Sequence, residues 1–172
     1  MSREIDSLVD SFTSKLSAAG VPITTANSAA ALEAFEAKLG KRLPQSFESL
    51  LSRYSFSTFD VSDIELFGWN SDWKSGEYFS SATGPKESLA EILLPAGFLQ
   101  FGRPATGDFD AICFDMKVSA QNREHRIVRL DHEEILCKRR VKVVGQIAPS
   151  FRTFIDRVLS SEEPDIVRPA KQ

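Results

Sequence analysis

Three acids and a histidine carry most of the chemistry that this sequence could offer. Asp108, Asp110 and Asp115 follow Gly107 at short spacing, and His132 lies in Leu130-Asp131-His132-Glu133-Glu134. Spaced carboxylates can ligate Mg²⁺ or Ca²⁺. A calcium loop, however, needs acids at alternate positions, a central Gly and a closing Glu. Here Gly107 precedes the acids and Phe109 interrupts them, so the pattern reads as a turn leading into a strand with polar outward residues. A histidine beside acids could act as a general base, since a neighbouring carboxylate raises its pKa toward the working range. His125 stands seven residues before it, which is no metal-ligand spacing, and no G-x-S-x-G or cysteine motif supplies a nucleophile. His132 therefore reads first as a surface residue at the end of a strand.

Other constellations fail sooner. Gly102-Arg103-Pro104-Ala105-Thr106-Gly107 has no Lys-Ser/Thr, and Pro104 removes an amide that a phosphate would need. Lys138-Arg139-Arg140 with Lys142 could touch phosphates, but no aromatic residue interleaves it to stack bases, and it reads as a solvated hairpin tip. The chain has 21 Lys and Arg against 24 Asp and Glu in 172 residues, a net charge of -3. That balance gives no general field for a polyanion, so neither direct nucleic-acid nor membrane-surface binding is expected. No cofactor or metal is expected. Cys113 and Cys137, far apart in sequence, form no disulfide framework and fit a reducing, cytoplasmic setting.

The elements that must position these residues follow from periodicity. Ile5, Leu8, Val9, Phe12 and Leu16 predict a first helix, ended by Gly20 and Pro22. A second helix is expected from Asn27 or Ser28, whose side chains can cap it, with Leu32, Phe35 and Leu39 buried and Gly40 at its end. Pro44 suits the first position of a third helix carrying Phe47, Leu50, Leu51 and Tyr54. After Tyr54, Phe56, Phe59, Val61, Ile64, Leu66 and Trp69 suit short strands. Asn70 to Pro85 predicts a long surface loop, and the pattern leaves Ser88 to Leu94 undecided between helix and strand.

Further strands are expected at Phe98 to Phe101, Ala111 to Met116, Arg126 to Leu130 and Val141 to Val144, the last two separated by the charged stretch Asp131 to Arg140. Ser150 caps a closing helix with Phe151, Phe154, Ile155, Val158 and Leu159 on one side. Helices grouped at the ends of a strand-rich middle predict an α+β fold: a mixed, mainly antiparallel sheet with N-terminal helices and one C-terminal helix against it. One domain over residues 1–160 and a frayed tail over 161–172 are expected.

Two readings stand for the aromatic residues Trp69, Trp73, Tyr78 and Phe79. They either fold back over the sheet or stay exposed as anchors for a protein partner.

In order, the segments resemble the SUKH superfamily of bacterial toxin-immunity proteins and fungal cell-wall-synthesis regulators. Glu36-Ala37-Lys38-Leu39-Gly40-Lys41-Arg42-Leu43-Pro44 looks like the family's Glu-bearing helix followed by Leu-Gly and Leu-Pro. Phe98 to Gly102, Gly107-Asp108 with the strand after it, Leu130-Asp131-His132-Glu133 and Ser150-Phe151 match its later elements. Ser52-Arg53-Tyr54-Ser55-Phe56 departs from the Asn-Gly that often follows the Leu-Pro helix.

The resemblance implies a non-catalytic protein-binding domain. Its first reading is an immunity protein that occludes a cognate toxin, with a regulatory adaptor as the alternative. Asp60, Asp63, Glu65, Asp72, Asp108 and Asp110 are then candidate acids facing a basic toxin site, and Trp69, Trp73 and Tyr78 candidate anchors. A rival from another class is a hydrolase using His132 with Asp108 or Asp110. It requires those side chains to converge.

Overall fold

The computed structural model describes residues 2–70, 79, 89–117, 123–161 and 167–169. Helix α1 (Ser2–Ala18) carries the expected stripe, with Ile5, Val9, Phe12 and Leu16 buried. Strand β1 (Ile23–Thr25) leads to α2 (Ala29–Leu39) and α3 (Gln45–Arg53). Gly40 takes a left-handed φ of 70° at the end of α2, the conformation that glycine adopts without steric cost. Two expectations shift here. Ser28 stands at the N-cap of α2, but its hydroxyl is buried without a hydrogen-bond partner and caps nothing. Pro44 stands one residue before α3 and not inside it.

The corner between α2 and α3 explains why its residue types occur together. Glu36 is buried, and its Oε1 accepts the Leu43 N–H at 2.7 Å while Oε2 pairs with Arg42 Nε at 2.8 Å. The carboxylate thus satisfies an amide that the turn leaves without a helical partner. Pro44 has no side-chain acceptor for the first amides of α3. Glu124, 78 residues away, takes that role: its carboxylate accepts from Ser46 N at 2.7 Å and from Ser46 Oγ at 3.0 Å. At the other end of the helical layer, Lys15 Nζ donates to the Val158 and Ser161 carbonyls, closing the C-terminus of the last helix.

Seven strands form the main sheet in the order β8-β7-β6-β5-β4-β3-β9, and every described pairing is antiparallel. They are β3 (Phe59–Val61), β4 (Ile64–Leu66), β5 (Phe98–Pro104), β6 (Ala111–Asp115), β7 (Ile127–Leu130), β8 (Val143–Ala148) and β9 (Val167–Pro169). β2 (Tyr54–Phe56) pairs with β1 in a separate ribbon. The undecided stretch contains a short helix, α4 (Ala90–Leu93). Residues 167–169, in the tail expected to fray, pair with β3.

Helices α1, α3 and α6 (Phe151–Ser160) cover one sheet face. Phe47 lies at the centre of that layer, 5.0 Å from the ring centroids of both Phe114 and Phe151. Ser150 caps α6 as expected, accepting from Thr153 N at 3.0 Å. The other face was expected to be polar along β6, yet all five β6 residues are buried. A second core of Leu93, Phe98, Ala111, Cys113, Val128, Leu130 and Ile135 lies beneath α4 and a further helix, α5 (His132–Lys138). Burial on both faces replaces the polar alternation of a half-exposed strand with an apolar run. The α+β class holds, and the helical cover is two-sided at the centre of the sheet.

Candidate functional site

Antiparallel pairing brings several loop ends together. Ile64 lies opposite Pro104 and Ala111 opposite Leu130. The β3–β4 turn, the β5–β6 connection and the start of α5 therefore share one end of the sheet. Ser62 and Asp63 make the first of these turns with positive φ at both positions (47° and 63°), as a two-residue hairpin requires. The Ala105 N–H donates to the Asp63 carbonyl at 2.8 Å and ties that turn to the β5–β6 connection. Asp63, Asp108, Asp110, Asp131, His132 and Glu133 consequently stand along one rim.

Helix α5 falls in the charged stretch expected only to separate two strands. Asp131 caps it, accepting from Glu133 N at 3.0 Å and Glu134 N at 3.2 Å. His132 is therefore the first residue of a helix and not a strand-end residue. Its ring Nδ1 lies 2.9 Å from Asp110 Oδ1, and its backbone N–H donates to the same oxygen at 3.0 Å. Asp110 Oδ2 accepts from Arg129 Nε at 2.6 Å, and Arg129 Nη2 reaches Asp108 Oδ2 at 3.2 Å. Burial pushes the Asp110 carboxyl upward, but the bonds from His132 and Arg129 outweigh it and hold the group below its ordinary value.

His132 thus converges with Asp110, as the hydrolase rival requires. His125 stands before β7, at the other end of that strand. Ligand atoms of Asp110, Asp131 and His132 lie within 4.8 Å of one another. The Arg129 guanidinium, however, places a positive charge against the carboxylate a cation would need, and Asp110 already accepts at both oxygens. The arrangement orients an imidazole and clamps a turn.

The cleft over this cluster is lined by Asp108, Asp110, Arg129, Asp131, His132, Glu133 and Val144. Phe109 projects beside it, 64% exposed, with its ring centroid 6.0 Å from that of His132. Of the large hydrophobic residues described, Phe109 is the most exposed. The sequence showed it only as an interruption between acids. The available signal was an aromatic residue inside a polar turn, where no strand alternation calls for it.

The other candidates divide. Asp108 is 58% exposed at the rim, and Asp63 is exposed on its turn. Asp60 and Glu65 face each other across β3 and β4, and Glu65 pairs with Arg103 Nε at 2.6 Å. Asp72, Trp73 and Tyr78 lie outside the described residues. Trp69, a candidate anchor, is fully buried: Nε1 donates to the Leu51 carbonyl at 2.7 Å, and Phe35 and Phe79 contact its ring. Phe79 is equally buried. For these two, folding back is the outcome, because a satisfied indole N–H and ring contacts favour burial of so large an apolar area.

The sequence profile of the SMI1 / KNR4 family (SUKH-1) matches residues 26–157, from just before α2 into α6. No curated protein matches the chain.

Proposed function

We propose that this chain, which belongs to the SMI1 / KNR4 family (SUKH-1), is a non-catalytic protein-binding domain that neutralises a cognate toxin by occluding it. The observation that carries this reading is Phe109, exposed on a rim whose neighbouring carboxylates, Asp108 and Glu133, face solvent. An exposed aromatic ring buries much area on contact at little entropic cost, and acids around it favour encounter with a basic active site. No described helix is long and apolar enough to cross a membrane. Both cysteines are free, which agrees with action in the cytoplasm. Co-expression with the product of the adjacent gene tests the reading. Recovery of a complex that protects cells from that product is expected; a neighbour that is no toxin and binds nothing would replace this role with the regulatory adaptor.

A second reading draws on the 2.9 Å Asp110–His132 contact, which is the geometry of an oriented general base. Under it, turnover of a hydrolysable substrate would vanish in His132→Ala while the circular dichroism spectrum stays unchanged. One feature opposes this second reading: Arg129 spans Asp108 and Asp110, so the carboxylate that orients the ring is already engaged by a guanidinium.

A further inference from the structure

β8 closes one side of the seven-stranded sheet, and no described strand pairs with its outer edge. Residues 143–146 are all exposed, where a strand packed on one face would alternate. Such an edge offers unpaired N–H and C=O groups, which proteins blunt with bulges, charge or cover. β8 is irregular against β7 around Val144 and Ile147, and Arg157 Nη1 donates to the Ile147 carbonyl at 2.7 Å. The strip Val143-Val144-Gly145-Gln146 carries no charge, and its valines are 44% and 47% exposed. Bulges are one such device and β8 has them at Val144 and Ile147, but the strip holds no charged side chain of its own. Here the cations bracket it instead: Lys142 precedes it, and Arg157 stands beside its far end. Among the described residues Lys142 Nζ pairs with Asp131 Oδ2, at 3.7 Å, and the side chain is 53% exposed. The one bond described for the exposed Arg157 side chain is to a carbonyl.

We propose that the outer edge of β8 is a strand-addition site for an extended segment of a protein partner, apolar at its centre and carrying a carboxylate at each end. Main-chain hydrogen bonds supply the affinity, the two valines supply apolar contact, and Lys142 and Arg157 set the register by charge. The two irregularities shorten β8, since Val143 to Ala148 lies opposite only Leu130 to Ile127; Lys142 to Ile147 thus spans about 10–12 Å, and the carboxylates must stand about three to four residues apart. The site adjoins the rim, since Val144 lines the cleft beside Phe109 and Lys142 pairs with Asp131, but it does not use the Phe109 ring: Phe109→Ala should leave peptide binding at β8 unchanged, so the two readings fail independently.

The test uses two synthetic peptides of alternating valine and threonine, one ended by aspartates and one by lysines, titrated into the full chain. Saturable amide shifts and hydrogen-exchange protection confined to 143–147 are expected with the aspartate peptide, with binding about tenfold weaker for the lysine peptide. Lys142→Glu combined with Arg157→Glu should reverse that preference. If the double variant loses its fold by circular dichroism, Lys142→Gln serves, and should weaken the aspartate peptide several-fold. Equal affinity for both peptides, shifts elsewhere on the molecule, or a dimer in sedimentation that pairs through β8 and excludes the peptide would overturn the proposal.

Discussion

Glu36 and Glu134 are both buried carboxylates, and their surroundings push them in opposite directions. Burial raises the Glu36 carboxyl above its ordinary value, against the Leu43 N–H and Arg42, which favour the charged form. The folded protein then holds this proton more tightly than the unfolded chain. Stability from this group is complete below the ordinary carboxylate range and falls as pH climbs through the raised value. Glu36→Gln, which keeps an acceptor for Leu43, should flatten that fall. Glu36→Ala leaves the buried Leu43 amide unsatisfied and should cost about 1–3 kcal/mol in urea denaturation. Glu134 behaves oppositely. Bonds from Lys138 and Arg140 lower its carboxyl from 4.5 to about 2. Its contribution is present above the unfolded value and lost as pH falls from there toward about 2. A carbon-detected titration of Glu134 should show that depressed midpoint, and Glu134→Gln should remove the corresponding part of the acid limb. The sequence displayed Glu36 within a recognisable string. It gave no sign that Glu134 lies beneath two cations, because that depends on α5 turning the chain back at Arg139.

Elements were legible in proportion to their length. α1, α3 and α6 each repeat apolar residues over two or more turns, enough for a period of 3.6 to stand out. α5 has seven residues and buries only Glu134 and Ile135, so its signal was confined to the cap Asp131 and the acids after it. Caps supplied from a distance were wholly hidden. Glu124 satisfies the start of α3 across 78 residues, and Ser28, placed to cap by sequence, does not. Replacing Glu124 with Ala should destabilise the protein by about 0.5–2 kcal/mol and speed amide exchange at Ser46, whereas Ser28→Ala should not lose a cap. In β6, Cys113 and Asp115 alternate with apolar residues, a pattern that predicts a polar side. Cover from α4 and α5 on that side, together with the Arg126 side chain on Asp115, reverses that reading.

For the whole molecule, partner binding and folding should separate at Phe109. Its ring is outside both cores, so Phe109→Ala should change unfolding free energy by less than about 0.5 kcal/mol. Under the proposed toxin-binding role, the same change should weaken capture of the partner by about 2 kcal/mol or more in calorimetry. Trp69→Ala should do the reverse, lowering stability by about 3–5 kcal/mol through a cavity among Phe35, Phe79 and Leu51. Composition, helical periods and the ordered Leu-Gly, Leu-Pro and Gly-Asp strings were sufficient for the α+β class and the family. These are local properties, set by backbone preference and by which residues avoid water. The site needed the third dimension. Antiparallel pairing alone carries Asp63, Asp110 and His132 to one rim, and packing alone decides that Trp69 turns inward while Phe109 remains in water.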